Sequence, residues 1–91
     1  MKESDIEKLL VQRVKEHGGL SLKLACTGQA GTPDRLIIGA YGLVAFVEVK
    51  APGKKPRKLQ EKRIQELKRL GCKVYVIDDY EGVENIMKEV F

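Results

Sequence analysis

Tryptophan is absent from this 91-residue chain, histidine occurs once, cysteine twice and proline three times, and aromatic residues make up only 5%. Each scarcity excludes something. Two isolated cysteines, Cys26 and Cys72, build neither a disulfide framework nor a zinc knuckle, and read as reduced structural thiols. With His17 as the sole histidine there is no Cys/His pair and no histidine-rich metal cluster. Neither a phosphate-binding P-loop nor a serine nucleophile elbow is present. No apolar run approaches the ~18 residues of a membrane span. The opening residues, MKESDIEK, are charged where a signal peptide would be apolar, so an intracellular, cytoplasmic location without membrane partners is expected. A chain of this size has room for one core, hence a single domain over 1–91.

What remains is 43% hydrophobic and 33% charged, with a net charge of +4. The charge is unevenly placed. Between Lys50 and Arg69 nine basic residues face two acids, a local balance of +7 that leaves −3 for the other 71 residues. A basic run can simply be a solvated face. This one starts next to a group of carboxylates, which favours a polyanionic partner, and Lys54, Lys55, Arg57 and Lys58 are its candidate phosphate contacts.

In chain order, Ser4 and Glu7 fit a capping box opening a first helix. Its apolar stripe is Ile6, Leu9, Leu10 and Val14, with His17 as a boundary residue and Gly18-Gly19 as the stop. Leu20, Leu22 and Leu24 alternate with polar or small residues, the pattern of a half-buried strand. The segment from Cys26 to Pro33 reads as a loop whose small residues could admit a phosphate, or as a mere connection. After a hairpin, Ala51 to Arg57 is a basic loop between prolines. A second helix is predicted from about Arg57 to Leu70, with Leu59, Arg63, Ile64, Leu67 and Leu70 as its stripe. Gln60 falls on the inward side, either as a helix-cap contact or as an amide aimed at a carboxylate site. Lys73 to Ile77 is a further strand, Asp78-Asp79 a turn and helix cap, and Val83, Ile86, Met87 and Val90 the stripe of a last helix. The order is α-β-β-β-α-β-α, an α/β (α+β) mixed central sheet flanked by helices.

The hairpin organises the chain. Two apolar runs, Leu36 to Ile38 and Leu43 to Val47, flank Gly39-Ala40-Tyr41-Gly42. Centring the turn on Tyr41 sets Gly39 opposite Leu43, Ile37 opposite Ala45 and Asp34 opposite Glu48. Alternation then points Glu48 and Lys50 to one face and Val47 and Val49 to the other. Two carboxylates and an ammonium at the ends of apolar strands are costly unless used. Oxygen ligands suit a hard divalent ion, and Asp34, Glu48 and the Val49 carbonyl offer them. Lys50 is placed to orient water or to stabilise charge developing on phosphorus, with Gln60 orienting either the lysine or the water. These groups suit phosphodiester hydrolysis.

Pro33-Asp34 followed by Glu48-Val49-Lys50 resembles the PD-(D/E)xK signature of restriction-endonuclease-like nucleases. The wider pattern adds Glu7, Gly31-Thr32-Pro33-Asp34-Arg35, Phe46 to Lys54 and Leu59-Gln60. Together these resemble the virus-type replication–repair nuclease (VRR-NUC) family, specifically its small stand-alone phage and bacterial members, over nearly the whole chain. The resemblance implies a restriction-endonuclease-like core and magnesium or manganese held by Asp34, Glu48 and the Val49 carbonyl. It also implies a catalytic Lys50, a supporting glutamate in the first helix (Glu7, with Glu3 as its competitor) and a site completed by Gln60. It implies DNA as substrate, branched DNA in particular, and a homodimer cutting four-way (Holliday) junctions. Its alternatives are a flap, nicking or less selective nuclease, and an inert nucleic-acid-binding module.

Overall fold

A computed structural model describes residues 1–24 and 31–91. The small-residue loop around Cys26 and Gly28, read above as a possible phosphate approach, lies outside the described residues. The elements are α1 (Glu3–Glu16), β1 (Leu20–Lys23), β2 (Arg35–Ile38), β3 (Val44–Val49), α2 (Lys58–Arg69), β4 (Lys73–Ile77) and α3 (Tyr80–Val90), in the expected order. One sheet runs β1-β2-β3-β4. The first two pairings are antiparallel. The last is parallel, with α2 as the crossover. This is the mixed sheet flanked by helices that the order of elements implied.

The hairpin has the register set by a turn centred on Tyr41, with Ile37 opposite Ala45 and Arg35 opposite Val47. Regular pairing stops there, one step short of Asp34 and Glu48. The turn itself is a single 3-10 turn, Ala40–Gly42, in which Tyr41 adopts φ 57° and Gly42 φ 74°. Left-handed backbone at two successive residues reverses the chain tightly.

Strand parity divides the molecule into two layers. Ile37, Ala45, Val47, Val49 and Ile77 face one side and pack with Ile6, Leu10 and Val14 of α1 and Val83, Ile86, Met87 and Val90 of α3. Nearly all of these side chains are completely buried. Burying one of them contributes about 1.5–3 kcal/mol, so this layer carries most of the stability. Arg13 ties the two helices together by donating to both carboxylate oxygens of Glu84 at 2.9 Å.

Three local expectations are corrected. First, α1 is not opened by Ser4 and Glu7. Lys2 precedes the helix, and its backbone N–H donates to the Asp5 carboxylate at 2.9 Å. Starting earlier in the chain leaves the Glu7 side chain to a tertiary partner. Second, the leucines of β1 are not its buried side: Leu20 is 52% and Leu22 41% exposed. Their partners are Ile38 and Leu36. They therefore share the layer opposite α1 and α3, where α2 packs on β4 at the other edge of the sheet. Alternation reveals that a strand has two faces, and not which face a helix covers. Third, Leu59 and Leu70 of the α2 stripe are exposed, and Ile64 is that helix's buried residue. His17 caps α1 structurally, with Nδ1 2.8 Å from the Arg13 carbonyl oxygen and its ring against Phe91.

Gly39 closes the hairpin against the end of α3. A Cβ built there would lie 2.2 Å from Val90 Cγ1 and 2.4 Å from the Val90 carbonyl oxygen. Gly39→Ala is expected to destabilise the protein by about 1–3 kcal/mol through overpacking, read as a lowered thermal midpoint. An unchanged midpoint would show that α3 can recede without cost.

Candidate active site

Glu48 is the central residue of the site, at 1% exposure. It occupies an inner strand, paired through β3 with both β2 and β4. Parity turns it away from the aliphatic layer, toward the start of α2. There Gln60 Nε2 donates to Glu48 Oε2 at 2.9 Å, and Lys50 Nζ lies 3.0 Å from the same oxygen. Lys50 Nζ also donates to Gln60 Oε1 at 2.8 Å. The three side chains form a closed triangle of charge-assisted and neutral hydrogen bonds.

Gln60 meets both descriptions offered by the sequence. It is the third residue of α2, and its Oε1 also accepts the backbone N–H of Arg57 at 3.0 Å. One amide thus closes the first turn of the helix and holds the carboxylate and the ammonium, so any shift of the α2 N-terminus is transmitted to the site. Asp34 lies just before β2, and its Oδ2 accepts the Val49 backbone N–H at 3.3 Å. Pro33, fully buried, anchors the approach.

Glu48 Oε1 is buried and has no hydrogen-bond partner among the described residues. An orphaned carboxylate oxygen is costly in the interior. Burial pushes the Glu48 carboxyl above the ordinary carboxylate range; Lys50 and, less strongly, the Asp34 backbone N–H oppose this, and the negative charge of Asp34 adds to it. Among the described residues no group of three or more His, Cys, Asp and Glu side chains gathers in one place. The donor set is therefore two carboxylates with a neighbouring backbone carbonyl. That is too few for a closed protein cage, and it suits an ion such as magnesium that keeps several waters. The orphaned Oε1 fits such an ion.

Glu7 is not in the triangle. Its Oε2 accepts from Arg35 Nε at 2.8 Å and lies 3.9 Å from Lys23 Nζ. It therefore reaches the site's border through Arg35, the residue following Asp34. Arg35 also donates to Ser21 Oγ at 3.3 Å, so one guanidinium joins α1, β1 and the start of β2. The competing Glu3 is exposed in the first turn of α1. Sequence reasoning gave Arg35 no role; its position directly after Asp34 was the available signal. Lys54, Lys55, Arg57 and Lys58 are all exposed at the start of α2 and in the loop before it, and no ion pair engages them among the described residues.

The VRR-NUC domain model matches residues 1–78. The chain belongs to the VRR-NUC family. A protein called "Putative nuclease p44", from Acyrthosiphon pisum secondary endosymbiont phage 1, is 42% identical over 78 residues, which is 86% of this chain and 84% of that protein. A solved structure described as a VRR_NUC domain superposes with a TM-score of 0.90 at 29% identity, covering 100% of this chain and 99% of the other. A second, a VRR_NUC domain protein, has a TM-score of 0.77 at 19% identity, covering 99% and 88%. That second likeness speaks for the fold alone. A VRR-NUC domain of this kind is a nuclease, and the triangle lies inside the matched residues.

The raised Glu48 pKa has a definite sign in the metal-free protein. Its stabilising contribution is fully present below the unfolded value of about 4.3 and is lost as pH rises through the folded value. Glu48→Gln removes that titration while keeping an acceptor for Gln60. The midpoint-versus-pH curve of the metal-free variant is expected to be flatter than the wild-type curve above about pH 4.3. Superimposable curves would show that Glu48 is not desolvated.

Proposed function

We propose that this VRR-NUC domain is a metal-dependent, structure-specific DNA endonuclease of the PD-(D/E)xK type, acting as a homodimer on four-way junctions. One observation carries the metal-dependent part. A nearly inaccessible glutamate keeps one oxygen without a partner among the described residues, next to a lysine and an aspartate. A purely structural carboxylate would be expected to have both oxygens satisfied.

Bound magnesium or manganese would be held by Asp34, Glu48 and the Val49 carbonyl, and would supply a water of lowered pKa and neutralise charge on phosphorus. The chain's own groups do the rest. Glu48 and Gln60 hold Lys50 Nζ in one place, so its charge is preorganised for the negative charge that grows on the phosphoryl oxygens. The Gln60 amide keeps Lys50 and Glu48 at a fixed separation through its two hydrogen bonds. Glu7, through Arg35, steadies the start of β2 and with it Asp34, a supporting role rather than a ligand's. The exposed cations Lys54, Lys55, Arg57 and Lys58 suit the flanking phosphates.

Support for the dimer comes from the layer that α2 leaves bare. Leu20 and Leu22 of β1, Leu36 and Ile38 of β2, and Val44 and Phe46 of β3 share one face by register. Leu20, Leu22 and Val44 are more than two-fifths exposed. The patch carries no charge on a protein of net +4. A second copy meeting it about a two-fold axis would bring no like charges together there, whereas DNA would find no cation. Leu22→Glu is expected to leave the protein monomeric by sedimentation at tens of micromolar, where wild type is dimeric. A wild-type monomer under those conditions would remove the dimer from the proposal.

Cleavage of matched four-way, flap, nicked and linear DNAs is the direct test, with magnesium or manganese, an EDTA control and Glu48→Ala. Paired symmetric cuts in the four-way junction alone are expected, with Glu48→Ala and EDTA each lowering the rate by at least ~10²-fold. Metal-dependent cutting of flaps, nicks or every form would replace the junction specificity with a broader nuclease. Tight binding without cutting in any metal would leave a binding module.

A further inference from the structure

The Asp78-Asp79 pair divides its labour. Asp79 caps α3, its Oδ1 accepting the Gly82 N–H at 2.8 Å. Asp78 has no part in that cap. Its Oδ2 instead accepts the backbone N–H of Gly53 at 3.1 Å, across 25 residues of sequence. Gly53 belongs to the segment that leaves β3 at Lys50 and carries Lys54, Lys55 and Arg57. The pairing of β3 with β4 continues one step past the strands, with the Lys50 N–H donating to the Ile77 carbonyl at 2.8 Å. Alternation from Val76, the partner of Glu48, puts Asp78 on the same face as Glu48 and Lys50, one strand spacing (about 4.8 Å) across.

A short connection this basic, beside a helix bearing Lys58, Lys62, Arg63, Lys68 and Arg69, is repelled by its own surroundings. Asp78 and Glu61 are the acids lining the cleft of about 360 Å³ that this segment forms with α2, opposite Lys54, Lys55 and Lys68. Lys54 N–H closes a turn onto the Ala51 carbonyl at 2.9 Å, and Gly53 within that turn has φ 79°. Nothing lies within 4 Å of the position a Gly53 Cβ would take, so no close packing surrounds that residue. Among the described residues, the Asp78 hydrogen bond ties this turn to the end of β4.

We infer that Asp78 is a positioning residue, clamping the Lys54–Lys55 turn to the end of β4 so that its cations are presented beside Lys50 to the phosphates flanking the cut. The presentation to DNA rests on the nuclease reading above; the clamp itself does not. Two variants separate the bond from the charge. Asp78→Ala removes both, and Asp78→Asn keeps an acceptor for Gly53.

The clamp is tested without DNA. Hydrogen exchange at the Gly53 amide is expected to accelerate about five- to tenfold in Asp78→Ala and to stay within about twofold of wild type in Asp78→Asn. Equal exchange in all three proteins would overturn the clamp. Its consequence is tested on whichever DNA the wild type binds and cuts. Asp78→Ala is expected to raise KM and Kd about five- to tenfold with kcat little changed, and Asp78→Asn to restore both. Asp78→Ala binding DNA as tightly as wild type, or more tightly, would overturn the positioning role, since loss of a repelling carboxylate alone has that effect. A fall in kcat at constant KM would overturn it too. A wild type that neither binds nor cuts any DNA would sink the nuclease reading and with it the presentation to phosphates, while the exchange result would still decide the clamp.

Discussion

One buried carboxylate constrains the rest of this structure. Glu48 sits on an inner strand, where desolvation disfavours its charge. Taking such a group out of water costs several kcal/mol unless donors meet it. Here Lys50 and Gln60 serve one oxygen only. Both must be held in place, Lys50 by the parallel pairing of β3 with β4 and Gln60 by the first turn of α2. Because Gln60 also accepts the Arg57 N–H, the helix cannot begin elsewhere without opening the triangle. The strand–helix–strand unit is therefore both the scaffold and the support of the chemistry.

The two layers of the sheet have separate duties. One is dry and aliphatic, closed by α1 and α3, and supplies the stability. The other holds the triangle at one end and a bare apolar surface at the other. The charged cluster lies on the less covered layer, beneath the start of α2, while the opposite layer offsets the cost of ordering so small a chain. At the site's border Arg35, the residue next to Asp34, reaches Glu7 on α1 from the aliphatic side of the sheet.

Much of this was legible from residue types and spacing. Gly39 to Gly42 between two apolar runs placed the hairpin, and the count from Tyr41 gave the observed register as far as Arg35 opposite Val47, beyond which Asp34 accepts the Val49 N–H. Gln60 was legible as inward-facing because the period of its helix is regular. Glu7 was less so. Its spacing fits a capping box and its family resemblance fits a site carboxylate, and its structural partner is an arginine 28 residues away. The leucines of β1 misled for a related reason: alternation assigns sides, and coverage depends on where a distant helix lands.

By itself the sequence determined the order of elements, the turn and its register, and the convergence of Asp34, Glu48 and Lys50, because these depend on local periods and on chain geometry over a few residues. Only the tertiary structure decided which sheet face stays bare, that Glu7 pairs with Arg35, that Asp78 binds Gly53, and that one oxygen of Glu48 has no partner among the described residues. Burial and hydrogen-bond satisfaction are properties of packed neighbours, and the neighbours that matter here come from parts of the chain far apart in sequence.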